Sequence, residues 1–190
     1  MFLENPVYNN EQFGWIEVIC GSMFSGKTEE LIRRIKRAKI ANQKIKVFKP
    51  IIDSRSKNFI ESHDESKLEC IEVKSSNEIL KKIDNCDVIA IDEAQFFDDQ
   101  IVSVCNKIAN NGIRVIIAGL DSDYRGLPFG SMPEIMCEAD YLDKLTAICV
   151  KCGNPASCTQ RITKEKDQVI IGETDIYEAR CRNCFNPPEK

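Results

Sequence analysis

No apolar run in this chain approaches the length of a bilayer span. The longest, such as Val115-Ile116-Ile117-Ala118, are a small fraction of the roughly 20 residues a spanning helix needs. Basic residues are not in excess either. Lys and Arg number 26 against 30 Asp and Glu, a net charge of −4, so the broad basic surface that non-specific nucleic-acid binding requires is not expected. The opening Met1-Phe2-Leu3-Glu4-Asn5-Pro6 lacks the basic start and apolar core of a secretory signal, and residues 1–14 read as a loose tail. Internal repeats and low-complexity tracts are absent. The one histidine, His63, lies in a polar stretch and receives no role. What remains is the composition of a soluble globular protein, 43% hydrophobic and 29% charged. Its 190 residues suffice for one full domain and a small appendage.

The most informative stretch is Gly21-Ser22-Met23-Phe24-Ser25-Gly26-Lys27-Thr28, which fits the pattern G-x-x-x-x-G-K-[ST] at every position. Its context is the one the pattern needs. The apolar run Trp15 to Cys20 reads as a buried strand before it, and a helix over Lys27 to Ala41 follows. The loop can turn successive N–H groups toward phosphate oxygens, and the helix aims its positive end at the same point. Lys27 would lie along the β- and γ-phosphates and the Thr28 hydroxyl would hold Mg²⁺, which makes a nucleoside triphosphate the expected ligand. The same helix carries Arg33, Arg34, Lys36, Arg37 and Lys39, expected as a basic face that is solvated or paired across a subunit contact.

Short β-rich runs alternate with amphipathic stretches from Trp15 to about Leu145, which predicts a parallel sheet with helices on both faces. Strands are expected at Lys44 to Lys49, Cys70 to Val73, Cys86 to Ile91 and Ile113 to Ala118. Helices are expected after a capping box at Ser75 to Glu78, and from Asp98 to a stop at Asn111-Gly112. Pro50 to Leu68 reads as a long polar loop, and Gly119 to Gly130 as a loop at a strand's carboxyl end, where ligands bind in open α/β sheets. Residues 15–145 thus form a nucleotide-binding domain and 146–190 a smaller lobe with a hairpin around Gln168 to Tyr177.

The apolar strand Val88-Ile89-Ala90-Ile91 runs into Asp92 and Glu93. Asp92 at the tip can reach a magnesium shell, and Glu93, expected to point elsewhere because side chains alternate along a strand, can accept a proton from an attacking oxygen. This pair does not choose between water, which would make an ATPase, and a substrate hydroxyl, which would make a kinase.

Ten cysteines without a secretory signal read as thiols or metal ligands. Cys149-x-x-Cys152 and Cys181-x-x-Cys184 are two knuckles that can close a tetrahedral shell, and Gly153 eases the first turn. Redox pairs and disulfides are the competing readings; the matched spacing favours structural Zn²⁺. Cys20, Cys70, Cys86, Cys105 and Cys137 read as buried small hydrophobes, and Cys158 receives no role.

Taken together, Gly21 to Thr28, Asp92-Glu93-Ala94-Gln95-Phe96-Phe97, Gly119-Leu120-Asp121 and the two knuckles resemble the thymidine kinases of the zinc-containing cellular type, from Gly14 to Cys184 and in that family's order. The resemblance implies a RecA-like α/β core and a zinc lobe carrying a lasso loop. It implies transfer of the ATP γ-phosphoryl group to the 5′-hydroxyl of thymidine. Glu93 matches the proton acceptor; Lys27, Thr28 and Asp92 match phosphate and magnesium positions; Ala94 and Gln95 fall beside the phosphate donor. Asp53-Ser54-Arg55 matches D-x-R, with the arginine near the moving phosphate. Met23, Phe96, Leu120, Tyr124, Phe129 and Thr159 fall where the family encloses thymine, with Tyr124 in place of an expected phenylalanine. Gln168, Val169, Ile170, Ile171, Gly172 and Tyr177 match contacts of the lasso, although Glu173 stands where some members have a second glycine. A homotetramer and feedback inhibition by dTTP are also implied; the cytoplasm is expected from the reading of the cysteines as thiols or metal ligands without a secretory signal. The rivals are a DNA-stimulated RecA-type ATPase and a zinc-ribbon binding module with a regulatory nucleotide site. The first needs a basic stripe; the second has no use for both Asp92 and Glu93.

Overall fold

The computed structural model describes residues 7–8, 11–52, 59–61, 67–163, 167 and 175–187. Six strands make one fully parallel sheet: β1 Ile16–Gly21, β2 Ile45–Pro50, β3 Ile71–Val73, β4 Val88–Ile91, β5 Arg114–Leu120 and β6 Tyr141–Leu145. Their spatial order is β6-β1-β5-β4-β2-β3. The central strands are apolar on both sides because both faces are covered. Residues Ile19, Val88, Ala90, Ile116 and Ala118 pack on Leu31, Ile32, Ile35 and Ala38 of helix α1, Lys27–Ile40. Their neighbours Val18, Ile89, Ile91, Val115 and Ile117 face the other way. There they meet α2 Ser76–Leu80, α3 Ile101–Asn110 and α4 Met132–Cys137, through Ile79, Ile101, Val104, Ile108, Met132 and Ile135. The expected sheet with helices on both faces therefore forms. Its topology matters for the site: β5 lies between β1 and β4, so the loops leaving all three carboxyl ends gather along one edge.

Beyond the sheet, β7 Ala147–Ile148 pairs with β8 Pro155–Ala156, and β9 Cys158–Arg161 pairs antiparallel with β10 Tyr177–Arg180. Tyr177 thus opens a strand, opposite Arg161. Residues 168–174 of the expected hairpin lie outside the described residues, as does His63.

Several expectations are corrected. The polar stretch Pro50 to Leu68 is not all loop: Phe59–Glu61 pairs with Lys67–Glu69, and Ile60 and Leu68 join the core under α1. Within the expected tail, Val7–Tyr8 pairs with Glu11–Gln12. Ser75 stands at the start of α2, but the Glu78 carboxylate accepts from the Lys74 N–H, and Asp98 receives the Ser76 N–H and hydroxyl. A distant aspartate replaces the capping box. Cys20, Cys70, Cys86 and Cys105 are buried as expected, and burial pushes the Cys20 thiol up to about 11 and the Cys105 thiol to about 12. Cys137 is exposed instead, as the last residue of the six-residue α4.

The basic face of α1 is interrupted at Arg34, which is only 2% exposed. Its Nη1 donates to Glu17 Oε2 at 2.7 Å and its Nε to Glu30 Oε1 at 2.8 Å, and Nη2 also reaches Asp143. The Glu17 carboxylate, fully buried, also accepts from Arg114 Nε at 2.7 Å and from Trp15 Nε1 at 2.6 Å. Removing one partner from such a cluster leaves buried charge uncompensated, which typically costs about 3–5 kcal/mol. Glu17→Gln will therefore lower unfolding stability by about 3 kcal/mol in chemical denaturation. A loss below about 1 kcal/mol would show that the two guanidinium groups find other partners.

Candidate active site

The phosphate motif begins on the last residue of β1 and ends inside α1. Gly26 caps the helix with φ 83°, a left-handed conformation glycine adopts without strain. The loop is tied internally, with the Ser25 hydroxyl and Lys27 Nζ each donating to the Ser22 carbonyl at 2.8 Å. It is also tied to the smaller lobe. The Met23 N–H donates to Thr159 Oγ1 at 3.0 Å, the Ser22 hydroxyl reaches the Ala156 carbonyl at 3.4 Å, and Phe24 packs on the lobe's small core.

Across the sheet edge, Thr28 Oγ1 donates to Asp92 Oδ2 at 3.4 Å. The two motifs, 64 residues apart in sequence, therefore meet. Asp92 is buried, and its other oxygen accepts the Glu93 N–H at 3.0 Å. Glu93 diverges from Asp92 for a reason other than the expected pleat. Strand β4 stops at Ile91, and Glu93 is left-handed (φ 53°, ψ 43°) as it opens the short 3₁₀ turn Ala94–Phe96. Ala94 and Gln95 are buried in that turn. Gln95 Nε2 donates to Glu93 Oε2 at 2.5 Å, and its Oε1 accepts the Leu120 N–H at 2.9 Å.

An aromatic wall follows. Phe96 and Phe129 meet edge to face with ring centroids 5.5 Å apart. Tyr124 is buried under the Arg161 guanidinium, which lies 3.6 Å from its ring centroid and donates through Nη2 to the Tyr177 hydroxyl at 2.7 Å. Arg161 also donates to the Asp167 carbonyl. Sequence reasoning passed over Arg161, because a lone arginine belongs to no motif; only its stacking between two expected pocket residues marks it. Leu120 sits at the end of β5, half-buried, level with Gly21. Asp53, Arg55, Gln168, Val169, Ile170, Ile171 and Gly172 lie outside the described residues.

Gly130 supports this wall from behind. It is left-handed at φ 50°, and a Cβ there would sit 2.3 Å from the Gln95 carbonyl oxygen. Left-handed backbone alone costs a residue with a side chain roughly 1–2 kcal/mol. Gly130→Ala will therefore destabilise the fold by about 2 kcal/mol and lower turnover at least about tenfold by displacing Gln95. Unchanged turnover would show that the strand tip tolerates the shift.

In the lobe, the Sγ atoms of Cys149, Cys152, Cys181 and Cys184 all lie within 4.8 Å of one another. The knuckle turns are built by backbone bonds from the Gly153 N–H to Cys149 and from the Cys184 N–H to Cys181. Burial pushes the Cys149 thiol up, but backbone N–H groups outweigh it and bring the thiol down to about 6. Cys184 keeps its proton by donating it toward the Cys181 and Cys152 sulfurs, which pushes its thiol up to about 12. Neighbouring sulfurs cannot all carry charge together, and a divalent cation resolves that conflict. Four converging thiolates with no carboxylate or imidazole among them fit a closed tetrahedral zinc shell.

The chain is similar to known proteins over most of its length. A family model described as thymidine kinase matches residues 14–185. A thymidine kinase of Rhodothermus sp. (strain ITI 518) is 56% identical over 176 residues, covering 92% of this chain and 83% of that protein. A thymidine kinase of Bacteroides fragilis is 53% identical over 186 residues, covering 97% and 94%. Among solved structures, domain III of the Thermotoga maritima replication initiation protein DnaA is similar at a TM-score of 0.42 and 16% identity, over 70% of this chain and 55% of that one.

Proposed function

The chain belongs to the thymidine kinase family, and on that premise we propose which residues carry the transfer of the ATP γ-phosphoryl group to the 5′-hydroxyl of thymidine. One observation supports the assignment above the others. Thr28 and Asp92, one from each triphosphate motif, touch at 3.4 Å, and Glu93 follows directly through a left-handed turn. A triphosphate lying along the loop therefore ends beside the proton acceptor.

Backbone N–H groups of Gly21 to Thr28 and the Lys27 ammonium hold the β- and γ-phosphates. Glu93 takes the 5′-hydroxyl proton as that oxygen attacks the γ-phosphorus. The bond from γ-phosphorus to the bridging oxygen breaks, and ADP leaves as dTMP forms. Thr28 and Asp92 are the residues that would hold Mg²⁺, which when bound neutralises charge on the phosphate oxygens. Arg55 adds a second cation near the moving group, and Asp53 lies two residues before it. Thymine packs against Leu120, Phe96, Phe129 and Tyr124, with Met23 and Thr159 at the loop side. By their match to the family's lasso, Gln168 to Gly172 and Tyr177 are assigned as further contacts to the base. The four clustered cysteines hold a structural Zn²⁺.

The test is incubation with labelled ATP, Mg²⁺ and a panel of nucleosides. Labelled monophosphate with thymidine is the expected result. Phosphate release that rises with DNA, and not with nucleoside, would move the chain to the ATPases. The reading also takes in a homotetramer, measurable by light scattering, and inhibition by dTTP as end product, measurable as turnover against added dTTP. It places the enzyme in the cytoplasm, with thymidine rather than nucleic acid or membrane as its partner; among the described residues no helix is long and apolar enough to cross a membrane.

A further inference from the structure

Both polar atoms of the Gln95 side chain are in use. Nε2 donates to Glu93 Oε2 at 2.5 Å, and Oε1 accepts the Leu120 N–H at 2.9 Å. A backbone N–H can only donate, so Leu120 fixes which end of the amide is oxygen and turns the NH₂ group toward Glu93. The side chain is 3% exposed. Its berth is cut on two further sides by residues without a Cβ. A Cβ at Gly119 would come within 3.0 Å of Gln95 Oε1 and 2.6 Å of Met132 Sδ, and one at Gly130 within 2.3 Å of the Gln95 carbonyl oxygen. With one hydrogen bond at each end, the buried amide is oriented by its protein neighbours.

We infer that Gln95 is a positioning residue for Glu93. It holds the carboxylate through Nε2, while the amide itself is held by Leu120 on the nucleoside wall. This inference rests on the reading of Glu93 as the proton acceptor. A donated hydrogen bond to a carboxylate is charge-assisted and directional, so it selects one orientation of Glu93 before substrate arrives. It also joins the base pocket to the reacting end of the site. Leu120 N–H to Gln95 to Glu93 is a chain of two hydrogen bonds, so any shift of Leu120 against the thymine ring reaches the carboxylate. Gln95 touches no reacting atom and acts only through its neighbour.

A double-mutant cycle tests this, because an effect relayed through Glu93 must vanish when Glu93 no longer works. Gln95→Glu keeps the chain length and an acceptor for Leu120 but exchanges the donor for a second acceptor facing Glu93. In otherwise wild-type enzyme it will lower kcat about 100-fold while KM for ATP moves less than about threefold. In a Glu93→Gln background the same substitution will lower the residual kcat less than about twofold. If Gln95→Glu fails to fold, as read by thermal unfolding, the uncharged Gln95→Met is judged by the same two criteria. A tenfold or larger rise in KM for ATP with kcat held, or equal loss of kcat in both backgrounds, would overturn the inference. Failure of the underlying reading is recognised separately, by Glu93→Gln alone keeping its turnover.

Discussion

Glu93→Gln will lower kcat about 10³-fold while the dissociation constant for ATP stays within about twofold. A positioned general base contributes roughly 10²–10⁴ in rate. Glutamine keeps the length of the side chain and can still accept from Gln95 Nε2, so the turn at Ala94–Phe96 has no reason to rearrange. What is lost is the capacity to take the 5′-hydroxyl proton as the oxygen attacks. The phosphate loop, Lys27 and the Thr28–Asp92 contact are untouched, which is why triphosphate binding survives. Single-turnover measurement with saturating ATP and thymidine separates the chemical step from product release. A variant with turnover within tenfold of wild type would remove Glu93 from the proton-acceptor role.

Cys181→Ser will lose bound zinc and with it at least about 10³-fold in kcat/KM for thymidine, while most of the far-UV helical signal remains. Among the described residues the lobe has little else to hold it. Its buried core is Ala147, Cys149, Ala156, Ala179 and Cys181, of which two are themselves members of the thiol cluster. Structural zinc binding is worth about 10 kcal/mol or more, against a typical total stability of about 5–15 kcal/mol, so a core of this size does not replace it. The damage reaches the phosphate loop through two hydrogen bonds, from the Met23 N–H to Thr159 Oγ1 and from the Ser22 hydroxyl to the Ala156 carbonyl, and through Phe24 packed on the lobe's core. It reaches the base pocket through Tyr177 and Arg161, which are paired across β9 and β10. Metal analysis beside the activity assay checks this. A zinc-free variant with normal turnover would mean the lobe folds on its own contacts.

The parts of this molecule that were legible in the residues are those whose signal is local. The phosphate loop, the apolar strand ending in Asp92, the paired cysteines and the alternation of strand and helix each lie within a few consecutive positions. What escaped depends on distant partners or on where an element stops. Arg34 reads as one more cation on a basic helix face, and nothing within α1 announces Asp143, 109 residues away, or the buried Glu17. Glu93 was expected to diverge by the strand pleat, but β4 stops two residues before it and a left-handed turn does the work. The strands at Phe59–Glu61 and Lys67–Glu69 are three residues each in polar surroundings, too short for periodicity to register. Arg161 carries no pattern at all; its place follows from two aromatic rings brought to it by separate segments.

The central claim is that the attacking alcohol and the triphosphate converge at the tip of β4. A crystal structure with thymidine and a non-hydrolysable ATP analogue addresses it most directly. The account predicts the 5′-oxygen within about 3.2 Å of a Glu93 carboxylate oxygen, facing the γ-phosphorus from the side opposite the bridging oxygen. A 5′-oxygen more than about 5 Å from that carboxylate, with nucleoside and analogue both fully bound, would contradict it.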